Sequence, residues 1–165
     1  MKHAAFALLL VACGPDEVDI TGLYRVDADV SSTNSCNNDQ PVVNPPIALK
    51  FSQGNLFGSE YFYYDECGDL AGANCSGSGL FGASFAEPID GGWRGTVTAS
   101  GGTAPNCVIS FTDQTAILHG TLMIVEISTY SESVTTDAAC APEEAEKRGK
   151  DMPCTAHERI EATKL

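Results

Sequence analysis

The chain has 165 residues, 43% of them hydrophobic, and carries 22 Asp+Glu against 9 Lys+Arg for a formal charge of −13. That length suits one ordinary domain, and so acidic a surface repels nucleic acid and anionic lipid alike. Between Lys50 and Lys147 the sole base is Arg94, whereas five bases crowd into the last nineteen positions.

The chain opens with Lys2, an apolar run from Ala4 to Val11 and the small residue Ala12. A positive start, a short apolar core and a small residue before the break read as a secretory signal peptide over residues 1–12. The run is far below the ~20 apolar residues that span a bilayer. Its end, Leu10-Val11-Ala12-Cys13, resembles the lipobox of bacterial lipoproteins. The resemblance implies diacylglyceryl transfer to the Cys13 thiol, cleavage between Ala12 and Cys13, and acylation of the freed amine. Several acyl chains on one residue make a stable anchor, where one chain binds marginally. Gly14 follows the cysteine in place of the aspartate that retains many such proteins in the inner membrane, so the resemblance implies the outer membrane of a Gram-negative envelope. Residues 13–19 then form the lipidated cysteine and a short tether, and residues 20–165 a single β-rich domain.

Seven cysteines are an odd number for an exported chain, and assigning Cys13 to lipid resolves the oddity. Cys36, Cys67, Cys75, Cys107, Cys140 and Cys154 remain, enough for three disulfides. Many pairings are open, and Cys140–Cys154 is favoured because the two flank one short helical excursion. Structural zinc needs close C-x-x-C or Cys/His clusters, and neither the cysteines nor His3, His119 and His157 are so spaced.

Period-two alternation with turn signals recurs down the chain and predicts antiparallel β-structure. Tyr24, Val26, Ala28 and Val30 alternate with Arg25, Asp27 and Asp29. A polar loop runs from Ser31 to Pro46. Ile47, Leu49 and Phe51 predict a second strand ending in a turn at Gln53-Gly54-Asn55, and Leu56 to Tyr64 the return. After a loop from Asp65 to Gly79, Leu80–Phe85 resumes strand character. Asp90-Gly91-Gly92 predicts a turn before Trp93, Gly95, Val97 and Ala99. Cys107, Ile109 and Phe111 share one face, and Ala116–Leu118 with Leu122–Ile127 predict a hairpin around His119-Gly120. Pro142–Arg148, with proline in its first turn, early acids, late bases and Gly149 as a stop, predicts the one helix. The charge alternation of residues 158–164 suits either a final edge strand or a short helix, and the strand, which could close the sheet against the first, is favoured. Strands at such intervals point to an all-β fold, an antiparallel closed or nearly closed barrel or a sandwich.

Gly22-Leu23-Tyr24 resembles the G-x-W start of lipocalin-type barrels, with tyrosine in place of the tryptophan. That resemblance implies an up-and-down barrel with a ligand cavity, and nominates Tyr24, Phe51 and Trp93 as residues facing a small apolar guest. Gly77-Ser-Gly-Leu-Phe-Gly82 satisfies G-x-G-x-x-G, but it lacks the preceding strand and following helix that a dinucleotide site requires. Asp65, Glu66 and Asp69 are weak candidates for a hard cation, without the EF-hand pattern. No G-x-S-x-G elbow is present. The sequence therefore suggests a non-catalytic, lipid-anchored envelope protein without cofactor, binding a small apolar ligand or an envelope protein. The competing class is a secreted hydrolase, which would set a perturbed carboxylate beside His119 or His157.

Overall fold

The computed structural model describes residues 17–56, 58–77, 84–103 and 105–165. In chain order the elements are β1 (Gly22–Ser32), β2 (Gln40–Pro41), β3 (Ala48–Leu56), β4 (Ser59–Cys67), β5 (Cys75–Gly77), β6 (Ser84–Phe85) and β7 (Glu87–Ile89). There follow β8 (Gly92–Gly101), β9 (Cys107–His119), β10 (Leu122–Val134), helix α1 (Pro142–Arg148) and β11 (Cys154–Lys164). The signal-peptide residues, Cys13 and positions 80–83 of the expected Leu80–Phe85 strand lie outside the described residues.

Among the described residues every pairing is antiparallel, and main strands neighbour their successors: β1 with β3, β3 with β4, β8 with β9, β9 with β10, β10 with β11. The last strand returns to the first, with Tyr24 opposite Lys164 and Asp29 opposite Ile160. The result is a curled, barrel-like all-β sheet. Its open seam is bridged by residues 84–89: β6 pairs with β4, β7 pairs with β8, and the Ala86 amide donates to the Arg94 carbonyl at 2.9 Å. The bridge needs Gly95, because a Cβ there would stand 1.7 Å from the Ser84 carbonyl oxygen.

Several strands run further than their apolar patterns. The expected turn at Gln53-Gly54-Asn55 is strand: Gly54 lies opposite Tyr61, and a Cβ there would meet that ring at 2.4 Å. This glycine makes room for an aromatic neighbour. Cys107–Phe111 and Ala116–Leu118 belong to one strand, β9, because Thr112–Thr115 keep the ladder with β10 unbroken. The helix over 142–148 begins with proline and has Glu143 and Glu144 in its first turn and Lys147 and Arg148 in its last, charges that match its dipole.

Among the described residues two apolar clusters hold the fold. The inner one joins Ile20, Tyr24, Leu49, Phe51, Phe62, Tyr64, Phe85, Trp93, Met123, Val125 and Ile160 inside the curl. Segment 17–21, which precedes β1, contributes to it, with Ile20 fully buried and Val18 packed alongside. The outer cluster lies between the convex side of the sheet and α1, joining Cys107, Ile109, Phe111, Val134, Ala145 and Met152.

The disulfides are Cys36–Cys154, Cys67–Cys75 and Cys107–Cys140. The expected Cys140–Cys154 bridge is therefore incorrect. Cys140 precedes a helix that packs on β8 and β9, beside the start of β9, whereas Cys154 opens β11 next to β1 and the loop after it.

Candidate functional site

The concave side of the sheet has two unlike ends. At the end where β1 begins and β11 finishes, side chains fill the space. Tyr24 and Phe51 meet edge to face with centroids 5.5 Å apart, Phe62 and Trp93 lie at 4.7 Å, and Phe51 also contacts Tyr64 at 5.3 Å and Phe85 at 6.1 Å. Tyr24, Phe51 and Trp93, the nominated ligand-facing residues, do point inward, and at 0%, 2% and 4% exposure they are core. Their polar atoms are occupied by the segment that plugs this end: the Trp93 indole N–H donates to the Val18 carbonyl at 2.7 Å, and the Tyr24 hydroxyl to the Ile20 carbonyl at 2.9 Å. Burial accordingly pushes the Tyr24 hydroxyl up to about 12.

The other end is open and polar. Along β9 and β10 the concave positions become Thr112 opposite Thr129 and Ser110 opposite Ser131. The two threonine hydroxyls share a hydrogen bond of 3.1 Å, and Ser131 pairs with Thr155 at 2.9 Å. Val97 and Val108 on the same face are 39% and 45% exposed, so the concave surface there is reachable from solvent.

Three carboxylates point into this end, and the strand register shows it. Glu66 lies opposite Leu49, Glu158 opposite Ile127, and Asp29 opposite Ile160, each partner belonging to the inner apolar face. Simple alternation from Tyr24 and Val26 would have put Ala28 and Val30 inside and Asp29 outside. A bulge between Val26 and Ala28 shifts the register by one and turns Asp29 inward, which is what a bulge does to every side chain beyond it. Asp29 is 6% exposed, and its Oδ1 is buried without a hydrogen-bond partner. Burial first, and the Glu66 charge second, hold its carboxyl above the usual aspartate range. Burial and the charges of Asp29 and Glu66 do the same to Glu158, and Tyr64 beside them is pushed up chiefly by burial. A cleft of about 220 Å³ lined by Tyr64, Glu66, Ser76 and Gly77 adjoins the group.

The acidic loop candidates do not converge. Glu66 faces the concave side, and Asp65, one residue away, lies opposite Lys50 on the convex side. Asp69 accepts the amides of Ala71, Ala73 and Asn74 at 2.9–3.1 Å, so its carboxylate shapes its own loop. Among the described residues no three His, Cys, Asp or Glu side chains are grouped to hold a metal ion.

His157 has a carboxylate partner that sequence spacing could not reveal. Its Nδ1 is 2.8 Å from Asp39 Oδ2 on the convex side, where the Cys36–Cys154 bridge holds the 33–39 loop against β11. Ser32 and Ser128 stand opposite His157 on the two neighbouring strands. Neither hydroxyl hydrogen-bonds to the ring, and that of Ser32 donates to the Ser35 carbonyl. The histidine lacks the nucleophile contact of a hydrolytic triad. His119 is an exposed residue at the end of β9, opposite Leu122.

No family model, no curated protein and no solved structure matches this chain.

Proposed function

We propose that the protein is an envelope lipoprotein, anchored through lipid on Cys13 in the outer membrane, whose barrel-like domain is a non-catalytic binding module working through its open, polar end. The observation that carries this reading is the fixed position of the segment next to the anchor. Only Gly14–Glu17 separate Cys13 from Val18, and Val18 and Ile20 are built into the filled end of the barrel. Five residue steps reach roughly 18 Å at full extension, so a lipid on Cys13 holds the filled end toward the bilayer. The open end then points away from the membrane, where a ligand or an envelope protein can reach it.

The main strands lie beside their successors except at the seam between β4 and β8, and the last lies beside the first; an up-and-down order of this kind supports the lipocalin-type reading of Gly22-Leu23-Tyr24 at the level of fold alone. The apolar-guest form of binding has less support, because a guest would have to displace Phe51 or free Trp93 from its bond to Val18. Binding at the hydroxyl- and carboxylate-lined end needs no such rearrangement.

The test of the anchor is Cys13→Ser. Wild type should fractionate with membranes and carry acyl groups, and the substituted protein should be neither acylated nor cleaved at residue 13. A wild type found wholly in the soluble fraction, or a substituted protein still acylated, would overturn the reading.

A further inference from the structure

Charge is distributed unevenly over this domain. Of the bases after residue 12, Arg25, Arg94, Lys147, Arg148, Lys150 and Arg159 each pair with a carboxylate on the convex side or around α1. Lys164 sits at the filled end, 5.6 Å over the Tyr24 ring, and Lys50 lies opposite Asp65 on the outside of β3. None of these faces Asp29, Glu66 and Glu158, and residues 78–83 contain no charged residue. Asp29, buried, Glu158, half-buried, and Glu66, exposed, thus share one face of the sheet with no lysine or arginine opposite them.

Such an arrangement costs stability. Like charges in a low-dielectric surrounding repel, and a buried oxygen without a hydrogen bond carries its desolvation penalty uncompensated. Nothing in the local sequence forces it, since without the bulge at Val26/Ala28 the small apolar Ala28 would turn inward and Asp29 would face water. A bulge that turns a carboxylate onto the concave face, leaving one oxygen unpaired, is a feature expected of a ligand site.

We infer that the open end of the barrel binds an organic cation, an ammonium or guanidinium group held between Asp29, Glu66 and Glu158. This rests on reading the domain as a binding module with its open end exposed. A single metal ion fits less well, because these side chains are not grouped closely enough to share one coordination sphere. An ammonium or guanidinium with several N–H donors spans a wider set of acceptors and would satisfy Asp29 Oδ1 directly. The hydroxyls of Ser131, Thr155 and Thr129 give the rest of such a ligand polar contacts. The group can come from a free polyamine or from a lysine or arginine side chain of a partner protein.

The test is calorimetric titration of the full chain in nonionic detergent with putrescine, with an acetylated lysine methylamide, with 1,4-butanediol and with calcium chloride. Saturable binding is expected for one or both amines and for neither the diol nor calcium, and the tighter amine identifies the source. Asp29→Asn and Glu158→Gln should each weaken that binding at least about tenfold. Binding should also fade on acidification as Asp29 and Glu158 protonate; Glu66 and Tyr64 are the other titratable groups on this face, and His157 lies next to Glu158 but on the convex side, against Asp39. A second readout separates a binding role from a structural one. Asp29→Asn should raise the Tm of the free protein at pH 7, because it removes an unpaired buried charge, while abolishing the upward Tm shift that the amine gives wild type. Absence of saturable amine binding, or unchanged affinity in both variants, would overturn the inference. If an apolar probe or a peptide without a cationic side chain binds instead, the binding-module reading survives and the cation site does not. If calcium alone binds, the site is a metal site and the inference fails.

Discussion

Replacing Cys36 and Cys154 together by serine should be the most damaging of the three disulfide deletions, and the topology sets by how much. That bridge spans 118 residues, against 33 for Cys107–Cys140 and 8 for Cys67–Cys75. Insofar as a disulfide acts by restricting the unfolded chain, loops of those lengths correspond to about 4.9, about 3.7 and about 2.5 kcal/mol. Against a total of roughly 5–15 kcal/mol for a domain, the first loss removes a third of the stability or more. The assay is urea unfolding at equilibrium, followed by the emission of Trp93. It is the sole tryptophan and only 4% exposed in the folded state. Because an unbridged denatured chain exposes more surface, the denaturant slope should rise along with the fall in midpoint, most of all for the longest loop. If deleting Cys67–Cys75 costs as much as deleting Cys36–Cys154, restriction of the unfolded chain is not the main source of the stabilisation. It would then lie in local contacts, such as the hold of the 33–39 loop on His157.

Gly95→Ala should destabilise on the order of 3 kcal/mol, the upper end of overpacking, by driving the bridge at residues 84–89 off the sheet. Gly101→Ala, where a new Cβ meets nothing within 4 Å, serves as the control and should change little; comparable losses for the two in urea would refute the closure role of Gly95. Asp113→Asn tests the ion-paired acid on the convex side. Burial opposes its charge, but hydrogen bonds from Lys150 and Arg94 outweigh that and hold its carboxyl below the usual 3.8. A depressed folded value contributes stability above 3.8 that is lost as pH falls through the lower value. The variant should therefore melt below wild type at pH 7 and converge with it in strong acid, and a difference independent of pH would refute the assignment.

Much of this molecule could be read from its residues in order. The alternation of Tyr24 and Val26, of Leu49 and Phe51, and of Cys107, Ile109 and Phe111 places strands and faces, because side-chain direction in a strand depends only on neighbouring positions. The helix at 142–148 is equally local, since its proline, its charges and Gly149 act within two turns. The charge alternation of residues 158–164 left a short helix open beside the strand, and only the need to cover a sheet edge favoured the return of β11 to β1 that the structure has. Three features were decided only by the tertiary structure. The disulfide pairing depends on where α1 and the 33–39 loop come to rest, and spacing along the chain carries no information on that. Whether Tyr24, Phe51 and Trp93 line a cavity or fill it depends on how far the sheet curls and on Val18 and Ile20 entering from outside the strand pattern. Asp29 was the least legible. It sits in a polar phase of its strand, and the bulge that inverts this phase arises from the register between β1 and β11, set jointly by two strands more than a hundred residues apart. A reading that extends alternation from one strand alone has to put that carboxylate in water, and the fold puts it inside.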